Sequence, residues 1–157
     1  MMKSMIEKML KMQRALDDAI YKEHQVEFDK EKCKLAMMDE IGEFNHEVKA
    51  TWCWWKKTQA PIDREKALEE LVDIWHFALS LTYHTYDNSE RDYEFNKNSY
   101  SNIDDLSQLY DYLLCDDWHK LDWLYRIGNK FGFSLGDVYA AYIEKNKVNY
   151  ERLANNY

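Results

Sequence analysis

Glycine and proline are scarce in this chain, with four Gly and one Pro among 157 residues. A sandwich or barrel of many short strands needs turn residues at each reversal, so their scarcity argues against an all-β fold and for long helices. Cysteine is scarce as well. Cys33, Cys53 and Cys115 contain no CxxC spacing, and an odd number of thiols in an ordinary composition reads as reduced thiols rather than a disulfide framework. A cytoplasmic location is therefore expected. No apolar run approaches the roughly 20 residues of a membrane span. Met1 to Met12 mixes Lys and Glu into its apolar positions, so neither a signal peptide nor a membrane partner is expected. Positive charge is also in deficit, the formal net charge being -8. Such a surface repels nucleic-acid backbones, which excludes DNA and RNA as general partners, and an acidic ligand would have to be held locally by a metal or a few cations.

What is present is apolar and charged in near-helical alternation, 46% and 32% of residues respectively. The length is that of one domain, residues 1–157, able to bury about two-thirds of its unfolded surface. Ile6, Met9, Leu10, Met12, Leu16, Ala19 and Ile20 recur every three or four positions, which predicts a first amphipathic helix reaching about Glu27. A second helix is predicted from Lys32 to Ala50, apolar along Leu35, Ala36, Met38, Ile41 and Val48 and acidic on its other side. Pro61 closes the segment that follows, and Asp63 can cap a third helix over Arg64 to Tyr86, the most apolar of all. Asp87 to Asn102 is polar and aperiodic and reads as a surface loop. A fourth helical region runs from Leu106 to Ile127 with a break near Asp116-Asp117, and Gly128 and Gly132 help end it. Ser134 with Asp137 can open a fifth helix.

Two carboxylate pairs stand out in this pattern. Residues three apart lie on one helical face, so Glu40 with Glu43, and Glu70 with Asp73, each make a vertical pair. Glu-x-x-Glu alone is usually a solvated face, and a non-catalytic acidic interaction protein is one reading of it. Glu70 and Asp73, however, interrupt an apolar helix beside Leu71, Val72 and Ile74, where an unpaired carboxylate is expensive. Facing pairs would form an oxygen cage whose mutual repulsion a divalent cation removes, and all-oxygen ligands suit magnesium or manganese better than zinc. A rival reading comes from His46 and His76, which follow Glu43 and Asp73 by three residues in the spacing of a di-iron carboxylate bundle. His24, His84 and His119 read as ordinary hydrogen-bonded core histidines, and for His46 that reading also leads.

In order along the chain, Glu40-x-x-Glu43, then Trp52-Cys53-Trp54-Trp55-Lys56, then Glu69-Glu70-Leu71-Val72-Asp73-Ile74-Trp75-His76-Phe77 resemble the dimeric, all-helical dUTPases among the MazG-like nucleotide pyrophosphohydrolases. Leu10-x-x-Gln13-x-x-Leu16-Asp17-x-x-Ile20 is similar to the family's first motif, and Tyr142-x-x-Lys145-Asn146-x-x-Asn149-x-x-Arg152 to its last. Tyr86 to Gly132 carries no matching motif. The resemblance implies an all-α bundle of about five main helices with a metal site between two central ones. It further implies a homodimer that hydrolyses dUTP, with dUDP as a second substrate, to dUMP and pyrophosphate.

On the same resemblance, Glu40, Glu43, Glu70 and Asp73 would hold magnesium, with manganese as a substitute, while Glu43 and Glu40 serve the chemistry. Gln13, Asp17, Trp55 or Trp54, His76 and Phe77 would surround the nucleoside. Lys56, Lys145, Asn146, Asn149 and Arg152 would meet the phosphates. Asp17 stands where some members carry Asn, so a relative acting on dCTP or several nucleotides is the alternative within the class. The tryptophan segment is two residues longer than the pattern, measured from Glu43, which leaves Trp52, Trp54 and Trp55 as candidates to stack on the base, Trp55 foremost.

Overall fold

The computed structural model describes residues 1–86, Tyr93, Phe95 and 102–156. Among the described residues every regular element is helical: α1 (Met2–His24), α2 (Lys30–Glu47), a 3-10 turn (Lys49–Thr51), α3 (Arg64–Thr85), α4 (Leu106–Cys115), α5 (Lys120–Lys130) and α6 (Leu135–Ala154). The all-α architecture read from composition and periodicity is the observed one. The count is six rather than five because the fourth region is two helices. At the break, the Asp116 carboxylate accepts from the His119 backbone N–H (3.0 Å), His119 Nδ1 (2.9 Å) and Trp123 Nε1 (3.0 Å), a capping arrangement that holds the chain out of helix for one turn.

Local chemistry sets most boundaries. Asp29 accepts from Lys32 N and Asp63 from Glu65 N and Lys66 N, so each caps the helix it precedes. Ser134 and Asp137 form a reciprocal capping box at the start of α6. α1 stops three residues before the expected end because Gln25 takes a left-handed conformation (φ 54°) and the Val26 N–H turns back to Tyr21 O. Gly132 is required between α5 and α6, since its φ is 77°. Gly128 does not end α5; it lies inside it, where a Cβ would meet Leu71 Cδ2 at 3.3 Å, so its small size lets α5 approach α3.

The central element is α3, which packs against α1, α2, α5 and α6. Leu71, Ile74, Trp75, Ala78 and Leu79 are wholly inaccessible along it, and burial of several such side chains, at about 1.5–3 kcal/mol each, is the main force fixing the bundle. The segment expected as a surface loop, Asp87 to Asn102, lies mostly outside the described residues. Tyr93 and Phe95 within it are buried, and Phe95 stacks on Tyr125 with ring centroids 4.8 Å apart. At least these two side chains belong to the core rather than to a surface loop. α1 and α2 both lean on α3 yet pack little on each other, which leaves a cavity of about 770 Å³ between them.

Candidate active site

α2 and α3 are the most extensively packed pair of helices, and their contact turns Glu40 and Glu43 toward Glu70. One carboxylate oxygen from each of the three lies within 4.8 Å of the others. Burial first, then the charges of its acidic neighbours, pushes Glu40 up to about 7. Glu70 is likewise pushed up to about 7, by burial and then by its contact with Glu43. Asp73 is not one of these three, although its charge acts on both Glu40 and Glu70. Its Oδ2 accepts from Lys145 Nζ of α6 at 2.8 Å, and Lys145 also reaches Glu69 Oε1 at 3.4 Å. Burial raises the Asp73 pKa and the Lys145 hydrogen bond draws it back.

Farther along α3, about two to three turns beyond Glu70, lie His76, Phe77 and Ser80, and α1 brings Gln13 and Asp17 against them. Gln13 Nε2 donates to Asp17 Oδ1 (2.8 Å), while Asp17 Oδ2 accepts from Ser80 Oγ (2.5 Å) and Tyr83 Oη (2.6 Å). Gln13 Oε1 accepts from Tyr142 Oη of α6 (2.9 Å) and pairs with His76 Nδ1 (2.6 Å). The His76 ring stacks on Tyr142 with centroids 4.5 Å apart. Burial, then the Lys145 charge, pushes His76 down to about 3, so it is neutral.

Gln13, Asp17, His76, Phe77, Asn149 and Arg152 line one cavity of about 240 Å³ between α1, α3 and α6. Asp17 and Phe77 also border the larger cavity between α1 and α2, whose walls add Tyr21, Phe28, Cys33 and Ser80. The structure thus brings together first-motif, third-helix and last-motif residues that are far apart in sequence. Asn146 lies next to this group on α6; it is buried, and its Nδ2 has no hydrogen-bond partner among the described residues.

The tryptophan segment lies elsewhere. Trp52 is half-buried and donates its indole N–H to Asn45 O at 2.8 Å. Trp55 packs edgewise between Trp52 and Trp54 and is 55% exposed, Trp54 is 88% exposed, and Lys56 is exposed. None of the four lines either cavity. The histidine expectations need correcting: His24, His46 and His84 are exposed, and His84 is held by stacking on Phe28 (3.7 Å between centroids) rather than by the core. Neither His46 nor His76 joins the carboxylate triad, the one group of metal-ligating side chains found among the described residues. The spacing of a di-iron site is therefore present without its geometry.

Ser80 and Tyr83 are functional-site neighbours that no motif marked, and Tyr142, the first residue of the last motif, carried no role in it. A signal existed, because Ser80 and Tyr83 follow His76 at four and seven residues, and Tyr142 precedes Asn146 and Asn149 at the same intervals.

Fold and site together define an all-helical bundle with an acidic cluster set beside a cavity lined by amide, imidazole and guanidinium groups. The family model described as dUTPase matches residues 5–157, and the chain belongs to this family. It is accordingly an enzyme that hydrolyses dUTP, a dUTP diphosphatase. No individual curated protein matches the chain.

Proposed function

We propose that this enzyme hydrolyses dUTP to dUMP and pyrophosphate with magnesium held by Glu40, Glu43 and Glu70, and by Asp73 once its carboxylate is shared with Lys145. The observation that carries the reading is the convergence of the three carboxylates, whose oxygens lie within 4.8 Å of one another while burial and mutual repulsion hold Glu40 and Glu70 near a pKa of 7. Three all-oxygen donors that repel one another fit a hard divalent cation, magnesium or manganese, and no soft ligand is among them. Magnesium bound there supplies Lewis acidity and neutralises charge on the triphosphate.

The protein groups do the rest. Glu43, the exposed member of the triad, is the base that takes the proton from the attacking water, with Glu40 beside it. The water oxygen bonds to the β-phosphorus, and the bond from that phosphorus to the α,β-bridging oxygen breaks, the bridging oxygen leaving with dUMP. Lys145, Asn146, Asn149 and Arg152 on one face of α6 bind and orient the phosphates, with Lys56 as a further cation. Gln13, Asp17, His76 and Phe77 enclose the nucleoside in the cavity between α1, α3 and α6. Trp55, with Trp54, is the stacking group for the base; since neither lines this cavity, the stacking side chain would come from a second copy of the chain.

We further read residues 1–157 as one catalytic domain, acting as a homodimer in the cytoplasm, on dUTP and also dUDP, with neither nucleic acid nor membrane as partner. Exposed Leu35, Met38 and Trp54 support a partner-covered surface, and three free thiols support a reducing compartment. Pyrophosphate release from dUTP, dCTP, dTTP and UTP with magnesium, measured beside the Glu70→Gln variant, tests the proposal. A strong preference for dUTP that is lost with Glu70→Gln is expected. Equal turnover of all four nucleotides, or an unimpaired variant, would refute it.

A further inference from the structure

Gln13 has four hydrogen-bonding capacities, two N–H donors and two lone pairs on its amide oxygen. Three are occupied inside the protein. One N–H goes to Asp17 Oδ1, and the oxygen meets both Tyr142 Oη and His76 Nδ1. What remains is one N–H. An amide turned over by 180° would leave the opposite remainder, a lone pair on oxygen. Which of the two the cavity presents decides whether it suits a carbonyl or an amine on the ligand.

The neighbours differ in their power to set this choice. A hydroxyl rotates and an imidazole exchanges tautomers, so Tyr142 and His76 can each serve as donor or acceptor. An ionised carboxylate only accepts. Asp17 takes this accepting role: three donors, Gln13 Nε2, Ser80 Oγ and Tyr83 Oη, converge on its two oxygens and favour the carboxylate, although burial, the larger influence, raises its pKa. We infer that Asp17 is a positioning residue for substrate selection: it holds the Gln13 amide with its oxygen inward, and through that oxygen fixes His76 as the Nδ1–H tautomer with Nε2 unprotonated. His76 Nε2 has no hydrogen-bond partner among the described residues, as expected of a nitrogen left bare by this relay. The remaining Gln13 N–H suits a keto group and not an exocyclic amine, so the relay favours a keto pyrimidine over an amino pyrimidine. This rests on the reading that the cavity between α1, α3 and α6 takes the base.

Imidazole nitrogen shifts in histidine-labelled protein, measured without nucleotide, give the tautomer directly, and the ratio of kcat/KM for dUTP over dCTP gives the selectivity. The wild-type protein is expected to show His76 protonated on Nδ1. In Asp17→Asn, whose amide can donate as well as accept, the second tautomer should appear and the ratio should fall at least tenfold. Gln13→Met, which breaks the relay at its centre, should release the tautomer in the same way and keeps the test open if Asp17→Asn fails to fold. Protonation of His76 on Nε2 in the wild type overturns the inference, and so does a tautomer unchanged in the variants. A ratio that falls with Gln13→Met but not with Asp17→Asn also overturns it while leaving the base site intact. An unchanged ratio with Gln13→Met counts instead against the cavity as the base site, and the tautomer then decides the relay alone.

Discussion

Asp73 on α3 and Lys145 on α6 form an ion pair with an N···O distance of 2.8 Å, both side chains less than one-fifth exposed, beside the three glutamates of α2 and α3. The pair ties the last helix to the acidic cluster and places a cation there. Lys145→Met would leave the largely buried Asp73 without its hydrogen-bonded counterion. A loss of about 1.5–3 kcal/mol in unfolding free energy is expected, the worth of a hydrogen bond to a charged group. Turnover of dUTP should also fall at least tenfold, since a positioned cation near developing phosphate charge is removed. Urea unfolding and steady-state kinetics on the same preparation check both; unchanged stability would contradict the pairing.

Glu70 predicts an opposite pair of effects. The metal-free cluster is repulsive, as the elevation of Glu40 and Glu70 to about 7 records, so Glu70→Gln should leave stability equal or raise it by up to about 1 kcal/mol. The same variant should lose most of the rise in melting temperature that saturating magnesium gives the wild type, because a ligand stabilises only through binding to the folded state. Activity should fall by two orders of magnitude or more. A variant that is destabilised yet still responds fully to magnesium would remove the cluster from the metal site.

Much of this arrangement was legible in the sequence because it is local. Caps at Asp63 and Ser134 mark two helix starts, and the three-residue spacing of Glu40 with Glu43 places both on one face, whereas the Asp29 cap, which starts α2 at Lys30 and not at Lys32, went unread. What spacing does not carry is which face meets which. Ser80 and Tyr83 reach Asp17 across 63 and 66 residues, and Tyr142 reaches Gln13 across 129; no local period encodes such partners. Lys120 shows the same limit from the side of burial. Its charge reads as solvent-exposed, yet it is 1% exposed, with Nζ donating to Leu113 O at 2.6 Å, so it satisfies the carbonyl end of α4 from inside.

The tryptophans separate into a structural and an exposed set. Trp52 is anchored through its indole N–H on Asn45 O, whereas Trp54 and Trp55 are open to solvent. Trp52→Ala is expected to cost about 2–4 kcal/mol, from lost packing and an orphaned carbonyl, and Trp54→Ala less than about 0.5 kcal/mol. Chemical denaturation of the two variants distinguishes them. If Trp55 stacks on the base, Trp55→Phe should abolish most of the fluorescence quenching that dUTP produces and raise KM more than it lowers kcat.

His76 gives a pH prediction whose sign is fixed by the direction of its shift. Burial, then Lys145, holds its folded-state pKa near 3, against about 6.5 in the unfolded chain. The folded state resists the proton that the unfolded state accepts. The stability is therefore fully present above about pH 6.5 and is lost as pH falls from there toward 3, at about 1.4 kcal/mol per pH unit for this one group. Glu40 and Glu70 act in the opposite sense, because their raised pKa values favour the folded state as pH falls through about 7, so the slope of the wild type alone mixes the contributions. The difference between wild type and His76→Gln isolates the histidine. Between about pH 7 and 4.5 the wild type should lose roughly 2–3 kcal/mol relative to the variant, read as the gap between their urea midpoints at each pH. Parallel curves across that range would mean that His76 titrates in the folded protein as it does in the unfolded one, and is not held neutral between Gln13 and Tyr142.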